Sequence, residues 1–372
     1  MPPDLGPTPI ESEDLTREMF EWSFQFRLKL GERGWIYPTW PTEVGGGGLS
    51  AEHDRVLSDE LERAGLPHVY DTNRLAAPAL YVWGTDEQKQ RFLTPLLRGE
   101  KRAWQLFTEP DVGSDLAAVK TTAILDGDSF VINGTKQFIG GEFGPPDYFW
   151  CVAVTDPDSP RHRNLGAFLF PANLPGITIQ PMELLVRHSK NIIYLDRVRV
   201  SREYLVGGDT QGWQVINSTL EVEHGAGGSI STRDPLTEGL THHLREKGGI
   251  QGEARRSLVD LHIASKARGL IALRTYWMSD SGQTMSYEGS QNSLMGKMHT
   301  WRGGLQALTM AGPYALLNDK EFGPLGGQLE HWQRQSESTH AGGSPEIQKV
   351  VIARRIGLSR TKERPAATHQ NT

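Results

Sequence analysis

The chain carries a single cysteine, Cys151, in 372 residues. One thiol excludes an internal disulfide framework and any zinc site built from paired cysteines, and it suits a reducing compartment. No apolar run reaches the length needed to cross a bilayer. Basic blocks are missing too: 39 Lys and Arg stand against 45 Asp and Glu, a net charge of −6. That balance argues against nucleic acid or an anionic membrane surface as the main partner. The opening Met-Pro-Pro-Asp-Leu-Gly has neither a secretory pattern nor the Arg-rich, acid-poor pattern of a transit peptide, so the expected location is cytoplasmic. Cys151, between Trp150 and Val152, reads as a small hydrophobe in a strand rather than a nucleophile.

What is present fits a soluble globular protein, with 37% hydrophobic and 23% charged residues on a chain long enough for two or three packed domains. Apolar residues recur at three- and four-residue intervals over Glu18–Leu30 and His53–Ala64, the helical period. A further helix is expected from Asp86 to Leu97, with Thr85 as its cap and Asp86 and Glu87 at the positive end of its dipole. From Ala103 the pattern changes to short β-rich runs, Ala123–Leu125, Ser129–Asn133, Tyr148–Val154, Gly166–Phe170 and Ile192–Leu195. Asp126-Gly127-Asp128 and Asn133-Gly134 are the turn signals between them. After Gly212 the helical period returns over Arg256–Asp280, Ser293–Ala315 and Pro345–Ile356, the last with Ser344 as cap and Gly357 near its stop. The stretch from Thr232 to Arg255 reads as a loop of weak helical content. The expected fold class is α+β, with a helical domain over 1–103, a β domain over 104–206 and a helical domain over 207–372.

Two segments carry chemistry. Phe107-Thr108-Glu109-Pro110-Asp111-Val112-Gly113-Ser114-Asp115-Leu116 combines a hydroxyl, a turn at Glu-Pro and a Gly-Ser pair. Such a loop is either an ordinary turn or a cradle of backbone and hydroxyl donors for a planar heterocycle or a pyrophosphate. Asn133-Gly134-Thr135-Lys136-Gln137-Phe138-Ile139 sets a ring shortly after a hairpin turn, either in the core or against a cofactor face.

Thr108 to Leu116 resembles the T-E-P-x-x-G-S-D signature of the acyl-CoA dehydrogenase family. Trp40-Pro41 with its following glycines, Gly84-Thr85-Asp86-Glu87-Gln88-Lys89, Gly134-Thr135-Lys136 and Gly342-Gly343-Ser344-Pro345-Glu346-Ile347-Gln348 are similar to the same family in the same order, from about Gly34 to Leu358. The resemblance implies an N-terminal helical domain, a middle β-barrel-like domain and a C-terminal four-helix bundle, with FAD as cofactor. It implies cofactor contacts from Gln105, Phe107, Thr108, Gly113, Ser114, Phe138, Gly140, Ser344 and Glu346, and substrate contacts from Ser114 and Gly342. It further implies an acyl-CoA substrate, an electron-transfer flavoprotein as acceptor, and a homotetramer or homodimer. Phe138 stands where the family commonly has Trp, and Gly140 where it commonly has Thr, which removes a hydroxyl.

The implied reaction, α,β-dehydrogenation, needs a carboxylate to take the α-proton of the thioester while donors stabilise its oxygen. Many members carry that glutamate just before the terminal Gly-Ser/Thr. Here Gly342 occupies the place, preceded by Ala341 and His340. Other members use an L-x-x-E-R pattern in the first C-terminal helix, and Leu220-Glu221-Val222-Glu223-His224 sets Glu223 on that position. Glu223 is then either the base or a solvated helix residue, beside the small run Gly225-Ala226-Gly227-Gly228. His188 and His224 read as structural. Two motifs that serve a neighbouring subunit's FAD are incomplete: Leu240–Gly249 lacks R-x-x-F-G, and Gln306–Tyr314 has a single glycine where the family has Q-x-x-G-G-x-G. Two alternatives therefore stand beside the dehydrogenase: an FAD-poor half-site subunit of a heterotetramer, and a flavin oxidase or monooxygenase on the same fold.

Overall fold

The computed structural model describes Leu5 and residues 16–64, 73–141, 144–185, 190–223, 232–336 and 340–358. The chain divides into two compact units, residues 1–220 and 221–372. In the first, α1 (Arg17–Glu32) is capped by the Thr16 hydroxyl, and α2 (Ala51–Arg63) and α3 (Ala77–Trp83) follow. Thr85 closes a capping box with Gln88 at the start of α4 (Asp86–Gln88), which continues through a π turn, Lys89–Leu93, into α5 (Thr94–Leu97).

Among the described residues, eight strands then form one mixed sheet: β1 (Ala103–Leu106), β2 (Thr122–Asp126), β3 (Ser129–Gly140), β4 (Tyr148–Val154), β5 (Leu165–Pro171), β6 (Ile177–Met182), β7 (Lys190–Ser201) and β8 (Leu205–Val206). Its order is β6-β7-β3-β2-β4-β5-β8, with β1 parallel to β4. The β2–β3 hairpin turns at Gly127, whose φ of +64° is a region glycine enters without a steric penalty. β4 and β5 are apolar almost throughout because both faces are covered. One face joins Leu80, Phe92, Leu93, Leu96 and Leu97 of the helices to Trp150, Val152 and Leu169. The other packs Phe130, Ile132, Phe149, Phe168 and Val198 together. Cys151 is free and fully buried in that second cluster, and burial raises its thiol pKa to about 11, so it is inert. Helix α6 (Gly212–Glu223) adds Val215 and Ile216 to the first cluster, and its Thr219 hydroxyl accepts from the Trp150 indole at 3.1 Å.

In the second unit α7 (Pro235–Glu246), α8 (Gly252–Asp280), α9 (Glu288–Ala311), α10 (Gln328–Ser336) and α11 (Pro345–Arg355) are helical. Helices α8, α10 and α11 each pack on α9, and α7 on α8. Helix α7 corrects the expectation of a loop over Thr232–Arg255. Asp234 caps it, Pro235 opens its first turn, and Leu240 and Leu244 bury one face, signals that the surrounding charges and glycines mask. Helix α9 begins earlier than expected and stops at Ala311, because Gly312 turns left-handed at φ +67° and Pro313 donates no N–H. The Asp234 carboxylate does more than cap. It accepts from the Thr237 hydroxyl at 2.8 Å and pairs with His299 Nε2 of α9 at 2.6 Å. Burial pushes its pKa up, but His299 and Thr237 outweigh that and hold it far below the ordinary carboxylate range.

Among the described residues no helix is long and apolar enough to cross a membrane, and no group of His, Cys, Asp and Glu is arranged to hold a metal ion.

Candidate functional site

The loop that follows β1 is built around one buried ion pair. The Glu109 carboxylate accepts from Lys136 Nζ at 2.8 Å and from the backbone N–H groups of Lys120 and Thr121 at 2.6 and 3.0 Å. Lys136 is fully buried on β3 and also donates to the carbonyls of Phe107 and Val152, at 3.3 and 2.9 Å. Burial pushes the Glu109 carboxyl up. The Lys136 charge and the hydrogen bonds from Lys136, Thr121 and Lys120 outweigh it and leave the group below its ordinary value. Glu109 and Val112 exchange backbone bonds that close the Glu-Pro turn, and Gln137 N–H donates to the Thr108 carbonyl at 2.9 Å. Glutamate and lysine of two separate motifs thus fasten the loop to β3.

That fastening uses up the carbonyl side of the loop and leaves donors unspent. Among the described residues, the Thr108 hydroxyl and N–H and the N–H groups of Gly113 and Ser114 donate to no protein group. Gly113 and Ser114 are exposed, and a side chain on Gly113 would meet nothing within 4 Å. Phe107 sits differently: its ring is buried in the first core cluster and its carbonyl is taken by Lys136. Gln105 is half-buried on β1 between inward-facing Trp104 and Leu106.

Strand β3 carries a bulge between Lys136 and Ile139. Without it, alternation would turn Phe138 inward with Lys136. The extra residue keeps Lys136 and Ile139 in the core and turns Phe138 out, 45% exposed, with φ +58°. A left-handed aromatic residue is disfavoured on the backbone, and an exposed ring forgoes its burial energy, so both costs fall on one side chain. The core reading of Phe138 is excluded, and the ring stands one residue beyond the Gln137–Thr108 bond. Gly140 ends the strand half-buried, with no hydroxyl to offer.

FAD fits this face of the first unit on those observations. An outward ring, free donors at Thr108, Gly113 and Ser114, and open space at Gly113 suit a flat heterocycle with polar edges. Gln105, Thr108, Ser114 and Phe138 would hold it.

In the second unit the terminal motif forms a left-handed turn, with φ +64° at Gly342 and +75° at Gly343, leading into α11. The Ser344 hydroxyl accepts from Ile347 N–H at 3.3 Å. Glu346 lies exposed in the first turn, where its own backbone N–H and the Ser344 side chain hold its carboxyl below the ordinary value. Glu223 is the last residue of α6, one helical turn beyond Thr219. Its side chain, His224, the run from Gly225 to Gly228 and His188 lie outside the described residues.

The Glu109–Lys136 pair is the feature that sequence reasoning missed. A signal existed: Lys136 continues the inward parity of Phe130 and Ile132, and a lysine on that parity needs a buried acid.

Comparison with known proteins places the chain in one family. The acyl-CoA dehydrogenase N-terminal domain family matches residues 8–100, and the acyl-CoA dehydrogenase middle domain family matches residues 105–195. The chain is 33% identical to acyl-CoA dehydrogenase IpdE1 of Mycobacterium tuberculosis, over 92% of this chain and 90% of that one. Among solved structures it is similar to the Tcur3481-Tcur3483 steroid ACAD, with TM-score 0.81 and 28% identity over 92% of this chain and 90% of that one. It is likewise similar to the ChsE4-ChsE5 complex of Mycobacterium tuberculosis, with TM-score 0.79 and 26% identity over 93% and 94%.

Proposed function

The chain belongs to the acyl-CoA dehydrogenase family of oxidoreductases, and from that premise we propose that it is an FAD-dependent enzyme that dehydrogenates an acyl-CoA thioester between its α- and β-carbons. The observation that carries this reading is the outward, left-handed Phe138 beside the unspent donors of Thr108, Gly113 and Ser114. When bound, FAD supplies the acceptor for the hydride that leaves the β-carbon. The chain's own work is to take the α-proton on the Glu223 carboxylate and to offer the Gly342 N–H to the thioester oxygen, where negative charge grows as the proton leaves.

The substrate class we assign is a ring-bearing or branched acyl-CoA. Gly342 stands where many members carry a glutamate side chain, and a solved neighbour is named a steroid enzyme. The assembly we assign contains a second chain of this fold, as a homo-oligomer or with a paralogous subunit. On α8, Val259, Ile263, Leu270, Leu273 and Trp277 are exposed at steps of four, seven, three and four residues along one stripe, the seam of a helix that packs on another. Two neighbours carry the names of two components. The incomplete R-x-x-F-G and glycine motifs favour the heteromeric form, in which this chain lends only part of a neighbour's site. An electron-transfer flavoprotein would then reoxidise the complex.

The test is anaerobic mixing of the FAD-loaded protein with a panel of acyl-CoAs, straight-chain and ring-bearing, followed by mass spectrometry of the thioester. The expected result is flavin bleaching together with a product lighter by two hydrogens, fastest on a ring-bearing member. Bleaching on straight chains alone would overturn the substrate class. Rapid reoxidation in air, rather than by an electron-transfer flavoprotein, would move the protein to the oxidase class.

Phe138 gives a separate prediction. Phe138→Ala should weaken FAD binding roughly 10-fold, the scale of an aromatic stacking contact of about 1–1.5 kcal/mol. Its melting temperature without FAD should be unchanged or higher, since the left-handed aromatic is removed from an exposed position. Flavin fluorescence titration and apoprotein melting measure the two effects.

A further inference from the structure

The turn that stands in place of the family's C-terminal glutamate is held by two side chains whose purpose the dehydrogenase reading leaves open. Gln348, on α11, is fully buried, and its Nε2 donates to the carbonyls of Gly342 at 3.2 Å and Gly343 at 3.4 Å. Lys297, on α9, donates from Nζ to the carbonyl of Ala341. Three consecutive carbonyls are therefore drawn toward donors of the protein's own.

Peptide planarity converts that into a statement about the N–H groups. In a trans peptide the N–H points opposite to the carbonyl of the preceding residue. Fixing the Ala341 carbonyl aims the Gly342 N–H, and fixing the Gly342 carbonyl aims the Gly343 N–H. Among the described residues, neither of those N–H groups donates to any protein atom.

The orientation of the Gln348 carboxamide follows from its surroundings. Two carbonyl oxygens face one end, so that end is the NH₂. The other end, Oε1, is buried without a hydrogen-bond partner, a desolvation cost that a methionine or leucine at this position would not carry. A buried amide kept at that cost only to pack α11 would be a poor choice. Its use lies in the two bonds it donates.

We propose that Gln348, assisted by Lys297, is a positioning residue that holds the Ala341–Gly343 peptides so that the Gly342 and Gly343 N–H groups meet the oxygen of the thioester. The inference rests on the dehydrogenase reading above and assigns new roles to two residues that act through the backbone of the turn. The device replaces a side chain by a backbone turn. Where other members carry a glutamate, this chain keeps only the amide donors and fixes them from behind.

The test uses the FAD-loaded protein with Gln348→Met, which keeps length and volume but donates nothing, and with Lys297→Met at the more exposed end. Two quantities are read with an acyl-CoA that bleaches the wild-type flavin. One is kcat and KM. The other is anaerobic exchange of the α-hydrogen with D₂O, followed by NMR on the reduced enzyme, where no hydride can be transferred. The expected result for Gln348→Met is retained FAD, a KM close to wild type, and kcat and α-exchange both lowered roughly 10- to 100-fold, as for a displaced oxyanion donor. Lys297→Met should show the same pattern with a smaller fall, and it carries the test if Gln348→Met does not fold. Unchanged α-exchange in a folded, FAD-bound variant would overturn the proposal and leave the dehydrogenase reading standing. A wild type that neither exchanges the α-hydrogen nor bleaches with any acyl-CoA would overturn that reading and this inference with it.

Discussion

Replacing Glu223 by glutamine should leave FAD bound and lower the rate of substrate-driven bleaching by about 10²- to 10⁴-fold, the usual contribution of a positioned general base. The expectation rests on proton bookkeeping. The α-hydrogen must leave to a carboxylate, and the place before Gly343-Ser344 holds Gly342, Ala341 and His340. Glu223 closes α6, a helix whose Val215 and Ile216 lie in the core and whose Thr219 hydroxyl accepts from Trp150. Glutamine keeps the shape and removes the basicity. Stopped-flow absorbance under anaerobic conditions reads the effect directly. A variant that bleaches at the wild-type rate would show that the proton goes elsewhere.

The second large effect concerns stability. Lys136→Met should destabilise the first unit by about 3–5 kcal/mol, because it strands the Glu109 carboxylate in the core without its partner. That is a large share of the roughly 5–15 kcal/mol that holds a typical domain folded. The loop from Phe107 to Ser114 should loosen with it, and FAD retention should fall. Glu109→Met/Lys136→Met together should be less damaging than Lys136→Met alone, because no unpaired charge remains, and a double-mutant cycle on denaturant unfolding measures that coupling.

The pH dependence has a definite sign. The folded-state value of Glu109 lies below its ordinary 4.5, so its contribution to stability is fully present above the unfolded-state value. It is lost as pH falls through the folded one. In Lys136→Met the chief downward influence is gone while burial remains, so that carboxyl should titrate above its wild-type value and shed its charge more readily. The gap in stability between wild type and variant should therefore be widest near neutral pH and narrow as pH falls through the carboxylate range. A gap independent of pH would mean that the lost packing of the lysine stem, not the stranded charge, sets the cost.

Much of this was legible in the residues. Strands β2, β3, β4, β5 and β7, the cap at Thr85 and the cap and stop of α11 follow from local chemistry, because hydroxyl caps, Asp-Gly turns and apolar periodicity act over a few residues, whereas β1, β6 and β8 carry no such local signal. Helix α7 was not read, since its cap and its Leu240–Leu244 face lie in a stretch whose charges and glycines resemble a loop. The site divides in the same way. Thr108, Gly113 and Ser114 stand out because their motif is contiguous. Phe138 could be given an aromatic role but not a direction, because a one-residue bulge decides which face of β3 it takes. Glu109 and Lys136 lie 27 residues apart, and only the β3–loop pairing brings them together. Gln348 likewise gains its meaning from a turn whose carbonyl directions no local pattern announces.

The central claim is that this chain holds a flavin and uses it on acyl-CoA thioesters. Its most direct test is the visible absorption spectrum of the purified chain expressed alone, with its flavin-to-protein ratio, before and after anaerobic addition of a ring-bearing acyl-CoA. The expected result is a yellow protein, alone or once a paralogous subunit completes the site, whose flavin band bleaches on addition. A colourless protein that takes up no added FAD, alone or beside a paralogous subunit, would contradict it.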